Sequence, residues 1–440
     1  MKLLIAIVVL AIAGLAFLLI ASSGTAVTFE PPPKAIGTST PVKVKVDSPH
    51  GVRDLVAWVE QGGERYQVFE QHQAAHRWTF WRGPKQGPRE FSFAAGKDRA
   101  PALKDGKAKV IVAATANDFR ANTHSIEQEV EVSTQPPRVM VDEFQHYINQ
   151  GGSELVTFVV SGSWNDTGVQ SGKYAFRSWP MPGKPETQRF SLFGYPWDVP
   201  ADVVPRVYAH SAAGIETTGR FWFKIFPKKF RVRDLDINDA FLDKVVNQID
   251  PGGTTTGGGD LLQRFLKING ELRRKNNQTL ADLRLKTEPR VLWNGPFLQL
   301  ANSKVESQFA DVRNYIYKGK KVDQQVHLGF DLSVTQHVPV VAANDGKVVW
   351  ASDLGIYGNC IVVDHGYGLQ SIYGHLSQID LKPGDLVKKS QSMGKSGSTG
   401  LAGGDHLHFS MQLDGVQINP VEWFDDHWIH DRILSKLPAQ

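Results

Sequence analysis

The chain has 440 residues, more than a single compact core accommodates, so two to four domains are expected. Hydrophobic residues make up 41% and charged residues 21% of the sequence, a balance typical of folded globular proteins. The net charge is only +4 and the charges are mixed along the chain, which argues against a nucleic-acid-binding protein. A single cysteine, Cys360, excludes an intramolecular disulfide.

The N-terminus carries an uninterrupted apolar run. Residues 3–21, LLIAIVVLAIAGLAFLLIA, contain no charged residue and follow Lys2. The core of a signal peptide has about 7–15 apolar residues, whereas a membrane span needs about 20. The length therefore favours an uncleaved anchor in the cytoplasmic membrane, with cleavage after Ser23 or Ala26 as the alternative. Because Lys2 favours a cytoplasmic N-terminus, the rest of the chain is expected to be extracytoplasmic, on the periplasmic or cell-wall side.

Two successive β-rich stretches follow this N-terminal segment. Alternating or apolar runs such as PVKVKVDS (41–48) and ELVTFVVSG (154–162) predict short strands, and turn-forming clusters separate them. The segments that begin at Phe91 and Phe190 resemble each other loosely, at the spacing of one small sandwich domain. We therefore predict two immunoglobulin-like β-sandwich modules in tandem.

A helical connector is predicted after the two modules. In DINDAFLDKVVNQI (236–249) apolar residues recur at helical spacing, and Asn238 or Asp239 would cap the helix. The following DPGGTTTGGG is typical of a flexible linker. Residues 260–285 return to helical character, with an expected break near Gly270 or the asparagine pair after it. A lid over a downstream site is the alternative interpretation of this connector.

From about residue 291 the sequence is again strand-like, with Gly-rich and Asp-Gly turns between short apolar runs such as GNCIVVDHG. A mainly β, multidomain protein with an antiparallel β-rich C-terminal domain is therefore predicted. The predicted boundaries are 1–26 for the membrane anchor or signal segment, 27–135 and 136–230 for the β-sandwich modules, 231–290 for the connector or lid, 291–428 for the C-terminal domain and 429–440 for a tail.

Three short motifs in the C-terminal domain contain histidine: HLGFD (327–331), YGHLS with His375, and HLH (406–408). In an extended segment the side chains of alternate residues share a face. His406 and His408 therefore point the same way, as do the first and last residues of HLGFD. The glycine between those two is expected to leave room for an ion.

A metal site accounts for these motifs better than packing does. Zinc suits imidazole and carboxylate ligands, and catalytic zinc sites use three protein ligands and leave the fourth position for water. Each motif alone is a weak signal, but together in one glycine-rich β-domain they favour a site over chance histidines. The sequence has no H-E-x-x-H helix, which excludes the thermolysin-type arrangement with a glutamate base.

Residues from about 305 to 424 resemble the lysostaphin/LytM-type zinc endopeptidases, a family that cuts peptidoglycan peptides. The order, spacing and turn glycines agree in HLGFD (327–331), PVVAANDGKVVWA (339–351), GNCIVVDHGYGLQSIYGHLS (358–377), PGDLVKKSQSMGKSGSTG (383–400) and GGDHLHFSMQLDGVQINPVEW (403–423). The resemblance implies an antiparallel β-rich peptidase domain of the duplicated hybrid motif type. It says nothing direct about residues 27–290.

The resemblance also implies roles for five residues. His327, Asp331 and His408 would bind Zn²⁺, while His375 and His406 would act on the reaction. Zinc-bound water would attack the scissile amide, one imidazole would take the water's proton, and the other would stabilise the oxyanion. We assign the base to His406 and the oxyanion contact to His375, with swapped or shared roles left open.

The implied function is that of an extracytoplasmic zinc metalloendopeptidase that hydrolyses peptide cross-links of peptidoglycan. The expected partners are stem or bridge peptides of peptidoglycan and, through residues 3–21, the membrane. One alternative is a non-catalytic or autoinhibited protein that binds the cell wall as a scaffold. A less favoured alternative is a non-haem iron oxygenase, which also uses two histidines and a carboxylate.

Other residues of the matched region receive structural interpretations. His365 is expected to stabilise a turn rather than bind the metal. Tyr373 and Asn359 would line a substrate groove, with packing an equal alternative for Tyr373. Asp405 stands where the family commonly has proline, and it would either orient His406 or lie in solvent.

Overall fold

A computed structural model of the chain describes residues 2–438. The chain forms two compact units. Unit 1 contains the residues up to Arg138 together with Ser161–Asp166 and Ala209–Thr217, and unit 2 contains Val139–Val160, Thr167–Tyr208 and the chain from Thr218 onward. Strands dominate both units, which confirms the prediction of a mainly β, multidomain protein.

Within residues 2–438 the α-helices are α1 (Lys2–Ala21), α2 (Asp239–Ile249), α3 (Leu261–Lys267), α4 (Arg273–Asp282) and α5 (Asp426–Arg432). The strands of the N-terminal half are β1 (Ala26–Phe29), β2 (Ala35–Ile36), β3 (Thr40–Asp47), β4 (Val52–Gln61), β5 (Glu64–His72), β6 (Arg89–Ala95), β7 (Gly106–Ala116), β8 (Thr123–Val132), β9 (Arg138–Val141), β10 (Gln145–Asn149), β11 (Ser153–Ser161), β12 (Asp166–Ser171), β13 (Tyr174–Arg177), β14 (Trp179–Pro180), β15 (Gln188–Gly194), β16 (Arg206–His210), β17 (Glu216–Gly219) and β18 (Trp222–Phe226). Those of the C-terminal half are β19 (Val232–Ile237), β20 (Lys304–Ser307), β21 (Asp311–Tyr317), β22 (Lys320–His327), β23 (Phe330–Ser333), β24 (Pro339–Val341), β25 (Gly346–Asp353), β26 (Asn359–Gly366), β27 (Leu369–Leu376), β28 (Gln378–Ile379), β29 (Leu386–Val387), β30 (Ser392–Lys395), β31 (Leu407–Leu413) and β32 (Val416–Ile418).

Two sheets over one core make up most of unit 1. Their strand orders are β1-β3-β6 and β2-β8-β7-β4-β5. In β3 every second residue is a buried valine, while the lysines between them lie on the open face. These valines pack with Leu55 and Val112 of the other sheet. The strand predicted at 41–48 is confirmed, whereas the immunoglobulin-like topology stays a prediction.

The connector is helical, as predicted. Helix α2 begins after Asn238, whose side chain accepts a hydrogen bond from a main-chain amide of the first turn. A π-helical turn, Ile268–Leu272, separates α3 from α4 and contains Gly270, so the predicted break is confirmed. The glycine-rich segment is not an open linker. The buried Asp250 carboxylate accepts hydrogen bonds from the amide and hydroxyl of Thr256, which close the segment into an ordered turn.

The connector packs against the C-terminal strands. Leu242 of α2, Phe265 of α3 and Leu280 of α4 share a buried cluster with Ile356 and Val362. The strand before α2, β19, runs parallel to β21. The helices are therefore part of the same core as the strands of unit 2 and not a detached segment.

The largest sheet of unit 2 has the order β20-β23-β31-β27-β26-β25-β29, with β32 beside β31. In the antiparallel pair of β23 and β31, Asp331 lies opposite His408. On the other side of β31, Gly374 of β27 lies opposite His408. Strand β22 pairs with β21 and ends at His327, next to β23 in the chain. This register brings the three histidine motifs together.

A buried carboxyl joins the end of the C-terminal domain to strands β10 and β11. Asn149 Nδ2 donates a hydrogen bond to Glu422 Oε1 at 2.8 Å, and the Ser153 amide donates one to Oε2 at 2.8 Å. Gly152 makes room for the group, because a Cβ at this position would lie 2.4 Å from Oε1. Burial raises the pKa of Glu422 to about 7. The carboxyl is thus bound most favourably in its neutral form.

The variant Glu422→Gln is expected to flatten the pH dependence of stability. The folded-state pKa of Glu422 lies above the ordinary value of 4.5, so its contribution is complete below about pH 4.5 and is lost as the pH rises through about 7. Between pH 5 and pH 8 the wild type should lose up to about 3 kcal/mol relative to the variant. Urea unfolding at both pH values measures this difference. The exposed Glu143→Gln is the matched control, and equal pH dependence in wild type and Glu422→Gln would contradict the expectation.

Candidate functional site

Three side chains from neighbouring strands meet at one point of unit 2. His327 Nε2 lies 3.0 Å from Asp331 Oδ1 and 3.0 Å from His408 Nδ1, and His408 Nδ1 lies 3.2 Å from the same Asp331 oxygen. All three residues are buried. The structure therefore brings together the three residues that the sequence predicts as metal ligands.

The tautomer of His327 suits metal binding. Its Nδ1–H donates a hydrogen bond to the Gln308 carbonyl oxygen at 3.1 Å, which leaves a lone pair on Nε2. Burial lowers the pKa of His327 to about 4, so the ring is neutral at neutral pH. A neutral imidazole binds zinc through the ring nitrogen that carries the lone pair, which in His327 is Nε2.

Asp331 divides its two oxygens between different partners. Arg313 Nη2 donates a hydrogen bond to Oδ2 at 2.5 Å, so Oδ1 is left facing His327 and His408. Burial alone would raise the pKa of Asp331, but electrostatic interaction with His327 and hydrogen bonding with the surrounding histidines hold it well below its usual value. Asp331 is therefore ionised. No motif in the sequence points to Arg313, because its contact with Asp331 depends on how β21 and β22 pack beside β23.

The three donor atoms fit a tetrahedral zinc ion. Ligand atoms at about 2.0–2.1 Å from such an ion lie about 3.3 Å apart, close to the 3.0–3.2 Å seen among the three atoms. Two imidazole nitrogens and a carboxylate oxygen also match the ligand chemistry that zinc prefers. Among residues 2–438, His327, Asp331 and His408 form the one group of at least three histidine, cysteine or acidic side chains whose ligand atoms lie close enough together to hold a metal ion.

Gly329 has a different use from the one predicted. A Cβ at this position would lie 2.7 Å from His408 Cε1 and 2.7 Å from the Phe409 carbonyl oxygen. The space above Gly329 is thus filled by the ring of His408 and not by an ion. The glycine still serves the site, because it lets β31 place a ligand ring directly against the HLGFD segment.

His375 and His406 lie beside these three residues, and the centroids of their own two rings are 4.8 Å apart. His375 Nδ1–H donates to the Thr399 carbonyl oxygen and His406 Nδ1–H donates to that of Gly404, each at 2.8 Å. Each neutral ring therefore keeps its lone pair on Nε2. His406 Nε2 lies 3.4 Å from Asp331 Oδ1, at the edge of the ligand cluster.

The two rings have opposite pKa shifts. Burial, reinforced by the charges of His406 and His408, holds the pKa of His375 well below its usual value. For His406 burial also acts to lower the pKa, but hydrogen bonding and charge from Asp331 outweigh it and the pKa is raised. Neutral His375 and readily protonated His406 are the states that these environments favour. His375 also has a positive φ of 63°, a conformation uncommon outside glycine that is often found at functional sites.

A cleft of about 340 Å³ opens onto the five residues. Leu235, Phe241 and Arg273 from β19, α2 and α4 form one wall, and Leu401 and Gly403 contribute from the loop before β31. The connector thus lines the site, although its action as a lid stays a prediction.

The structural interpretation of His365 is confirmed. It is fully buried, and its two ring nitrogens contact the Asp345 carbonyl oxygen and Ser371 Oγ, each at 2.7 Å. Tyr373 is a packing residue: it is also buried, and its hydroxyl accepts hydrogen bonds from the Ala343 amide and from Ser371.

Asp405 differs from both of its predicted roles. Its carboxylate accepts hydrogen bonds from Ser396 Oγ at 2.6 Å and from the His337 amide at 3.1 Å. The partner that orients His406 is instead the Gly404 carbonyl. Only 10% of the Asp405 side chain is exposed, because it ties the loop before β31 to neighbouring loops.

The region that contains the site is similar to known proteins. Residues 325–420 match the model of Peptidase family M23. An uncharacterized metalloprotease of Haemophilus influenzae is 36% identical over 120 residues, which cover 27% of this chain and 25% of that protein. The DD-carboxypeptidase/endopeptidase Mpg of Neisseria meningitidis is 35% identical over 97 residues, or 22% of each chain.

Among solved structures, the catalytic domain of lysostaphin from Staphylococcus simulans is 31% identical. The match covers 28% of this chain and 92% of that domain, with a TM-score of 0.25. The chain spans about a quarter of the length of the curated relatives it matches. The resemblance found in the sequence is confirmed, and the family favours a peptidase over an iron oxygenase.

Replacement of the two histidines of HLH is expected to change the zinc content differently. His408→Ala removes a donor atom of the three-residue cluster and should lose bound zinc, whereas His406→Ala should keep it. Elemental analysis of the purified full chain gives the zinc content, and circular dichroism checks that each variant is folded. Equal zinc loss in both variants would overturn the division of roles within HLH.

Proposed function

We propose that this protein is a zinc metalloendopeptidase that hydrolyses peptide cross-links of peptidoglycan, since residues 325–420 match Peptidase family M23. The observation that carries the proposal is the convergence of His327, Asp331 and His408 within 3.2 Å of one another, with His375 and His406 beside them. The relatives that match this domain include a DD-carboxypeptidase/endopeptidase and a peptidoglycan DD-endopeptidase.

His327, Asp331 and His408 would hold the zinc ion. A zinc ion in such a site lowers the pKa of water bound to it and polarises the carbonyl of the scissile amide. Arg313 would support the ligand set, because it donates a hydrogen bond to Asp331 Oδ2 and leaves Oδ1 beside His327 and His408. The cleft admits the substrate peptide between the connector and the loop before β31.

The remaining two histidines would accept the proton of the attacking water and stabilise the negative charge that develops on the carbonyl oxygen. His375 is deeply buried, neutral and carries its lone pair on Nε2, so it suits the role of proton acceptor. Its Nδ1–H is already donated to Thr399, so neutral His375 has no proton on Nε2 to give an oxyanion. Protonated His406 does present an Nε2–H donor. The hydrogen bonds of the two rings are alike, so the swapped assignment that the sequence left open is proposed from the opposite directions of their pKa shifts.

The protein is proposed to act outside the cytoplasm, on the periplasmic or cell-wall side, held by α1. This helix has 20 residues, a mean hydropathy of 3.3 and no buried residue. Its length is about 30 Å, which matches the hydrocarbon thickness of a bilayer. The wall substrate of the proposed reaction lies on the same side of the membrane.

An autoinhibited form of the enzyme is supported by one further observation. Lys244 of α2 donates hydrogen bonds to the carbonyl oxygens of Ala402 and Gly403, each at 3.3 Å, in the loop that leads to His406. This contact ties α2 to a loop that lines the cleft. A cell-wall scaffold without turnover would have no need of the five-residue set.

The full chain in detergent micelles is expected to convert cross-linked muropeptides into uncross-linked ones. Mass spectrometry of peptidoglycan fragments measures the conversion. A chelator should abolish it and added zinc should restore it. An unchanged muropeptide profile with zinc-loaded wild type and with zinc-loaded Lys244→Met would contradict the proposed activity, while turnover by Lys244→Met alone would identify the autoinhibited form.

Glutamine replacements are expected to separate the two catalytic histidines. A glutamine amide can donate a hydrogen bond but cannot act as a base near neutral pH. His406→Gln should therefore retain more of the wild-type kcat than His375→Gln, at equal zinc content. Steady-state cleavage of a cross-linked muropeptide measures both. The reverse order of activities would return the base role to His406.

A further inference from the structure

The loop between β5 and β6, residues 73–88, is rich in aromatic and basic residues that have no role in the proposed peptidase reaction. Its sequence is QAAHRWTFWRGPKQGP, with three Arg or Lys residues and no acidic residue. Trp78 is 69% exposed and Trp81 is 45% exposed. Exposed apolar groups that cluster on a surface often mark an interaction site, and here two exposed indoles lie on one basic loop.

The loop presents these rings from an ordered framework. The His76 amide donates to Asn117 Oδ1 at 2.9 Å, and Arg77 Nη2 donates to the Phe119 carbonyl oxygen at 3.0 Å. Phe80 lies between the two tryptophans in sequence but is buried. The loop is therefore fixed to the body of unit 1 by Phe80, while Trp78 and Trp81 remain outside.

The same end of unit 1 holds the C-terminal end of α1. His50 Nε2–H donates to the Ala21 carbonyl oxygen at 3.1 Å, and the Ser23 amide donates to Asp118 Oδ2 at 2.9 Å. The Trp81 ring meets Phe17 of α1 edge-on, with centroids 5.9 Å apart. Helix and loop thus leave unit 1 in the same direction.

The position along α1 gives the depth of the loop in a bilayer. Phe17 is four residues before Ala21, so its level is about 6 Å below the end of the helix. If α1 spans the hydrocarbon layer, Trp81 lies just inside its outer boundary, where tryptophan is enriched in membrane proteins. The cationic side chains of Arg77, Arg82 and Lys85 would then reach the headgroups beside it.

We propose that loop 73–88 is a second membrane contact, in which Trp78 and Trp81 enter the outer interface of the bilayer and the basic residues bind anionic phospholipid headgroups. The proposal rests on the anchoring of α1. It makes unit 1 a membrane-docked base rather than a body that swings on a flexible tether. The edge contact with Phe17 and the lack of acidic residues favour lipid over a glycan strand as the occupant.

Quenching of tryptophan emission tests this contact in the full chain. The protein is reconstituted in phosphatidylethanolamine/phosphatidylglycerol vesicles with acyl chains brominated near the headgroup, or unbrominated. Bromine should quench part of the wild-type emission, and Trp78→Phe/Trp81→Phe should lose most of that quenched part. Trp222→Phe is the matched control, because Trp222 is 70% exposed but belongs to unit 2. Leaving out phosphatidylglycerol should reduce the wild-type quenching.

The outcomes separate this proposal from the others. Equal quenching in wild type and the double variant, with both chains floating with the vesicles, would overturn the loop contact and leave the anchor intact. Failure of the wild type to float with vesicles would overturn anchor and loop contact together. Unchanged quenching in the double variant together with weaker pelleting with purified peptidoglycan would show that the rings bind glycan. None of these readouts depends on peptidase turnover.

Discussion

The site depends on the register between β23 and β31, which sets Asp331 opposite His408. Side chains in a strand alternate between faces, so a slip of one residue would turn a ligand to the other face of the sheet. Phe330 and Phe409, the neighbouring pair in the same ladder, are buried on the other face and fix this register through packing. The hydrophobic core beneath the sheet thus determines where the donor atoms meet.

Around that pair, main-chain carbonyls prepare the rings for chemistry. The carbonyl oxygens of Gln308, Thr399 and Gly404 each accept a hydrogen bond from the Nδ1–H of one histidine, which leaves a lone pair on Nε2 of that ring. The protein in this way sets the tautomers through loops that carry no motif of their own. The reactive nitrogens and the carbonyl oxygens that fix their tautomers therefore come from different parts of the sequence.

Much of the site could be predicted from the sequence, because short motifs carry it. HLGFD and HLH each fix two positions through strand alternation, and the family resemblance supplied the division between ligands and reacting residues. The contact of Arg313 with Asp331 and the ring of His408 above Gly329 could not be predicted, since both depend on which strands become neighbours.

The fold was predicted in a similarly uneven way. Strands with alternating valines and the cap at Asn238 follow from local patterns, and the structure has them. The ordered turn at Asp250 could not be predicted, because a glycine-rich composition indicates a flexible segment. The hydrogen bonds to one buried carboxylate, which order the segment, leave no pattern in the sequence. The share of the cleft wall formed by Phe241 and Arg273 follows from tertiary packing, which no local pattern encodes.

The central claim is that His327, Asp331 and His408 bind one zinc ion. X-ray absorption at the zinc edge, on the full chain purified with zinc, tests it most directly. We expect one zinc per chain, with two imidazole nitrogens and carboxylate or water oxygens at about 2.0–2.1 Å. A chain that retains no zinc, or a zinc shell without imidazole, would contradict it.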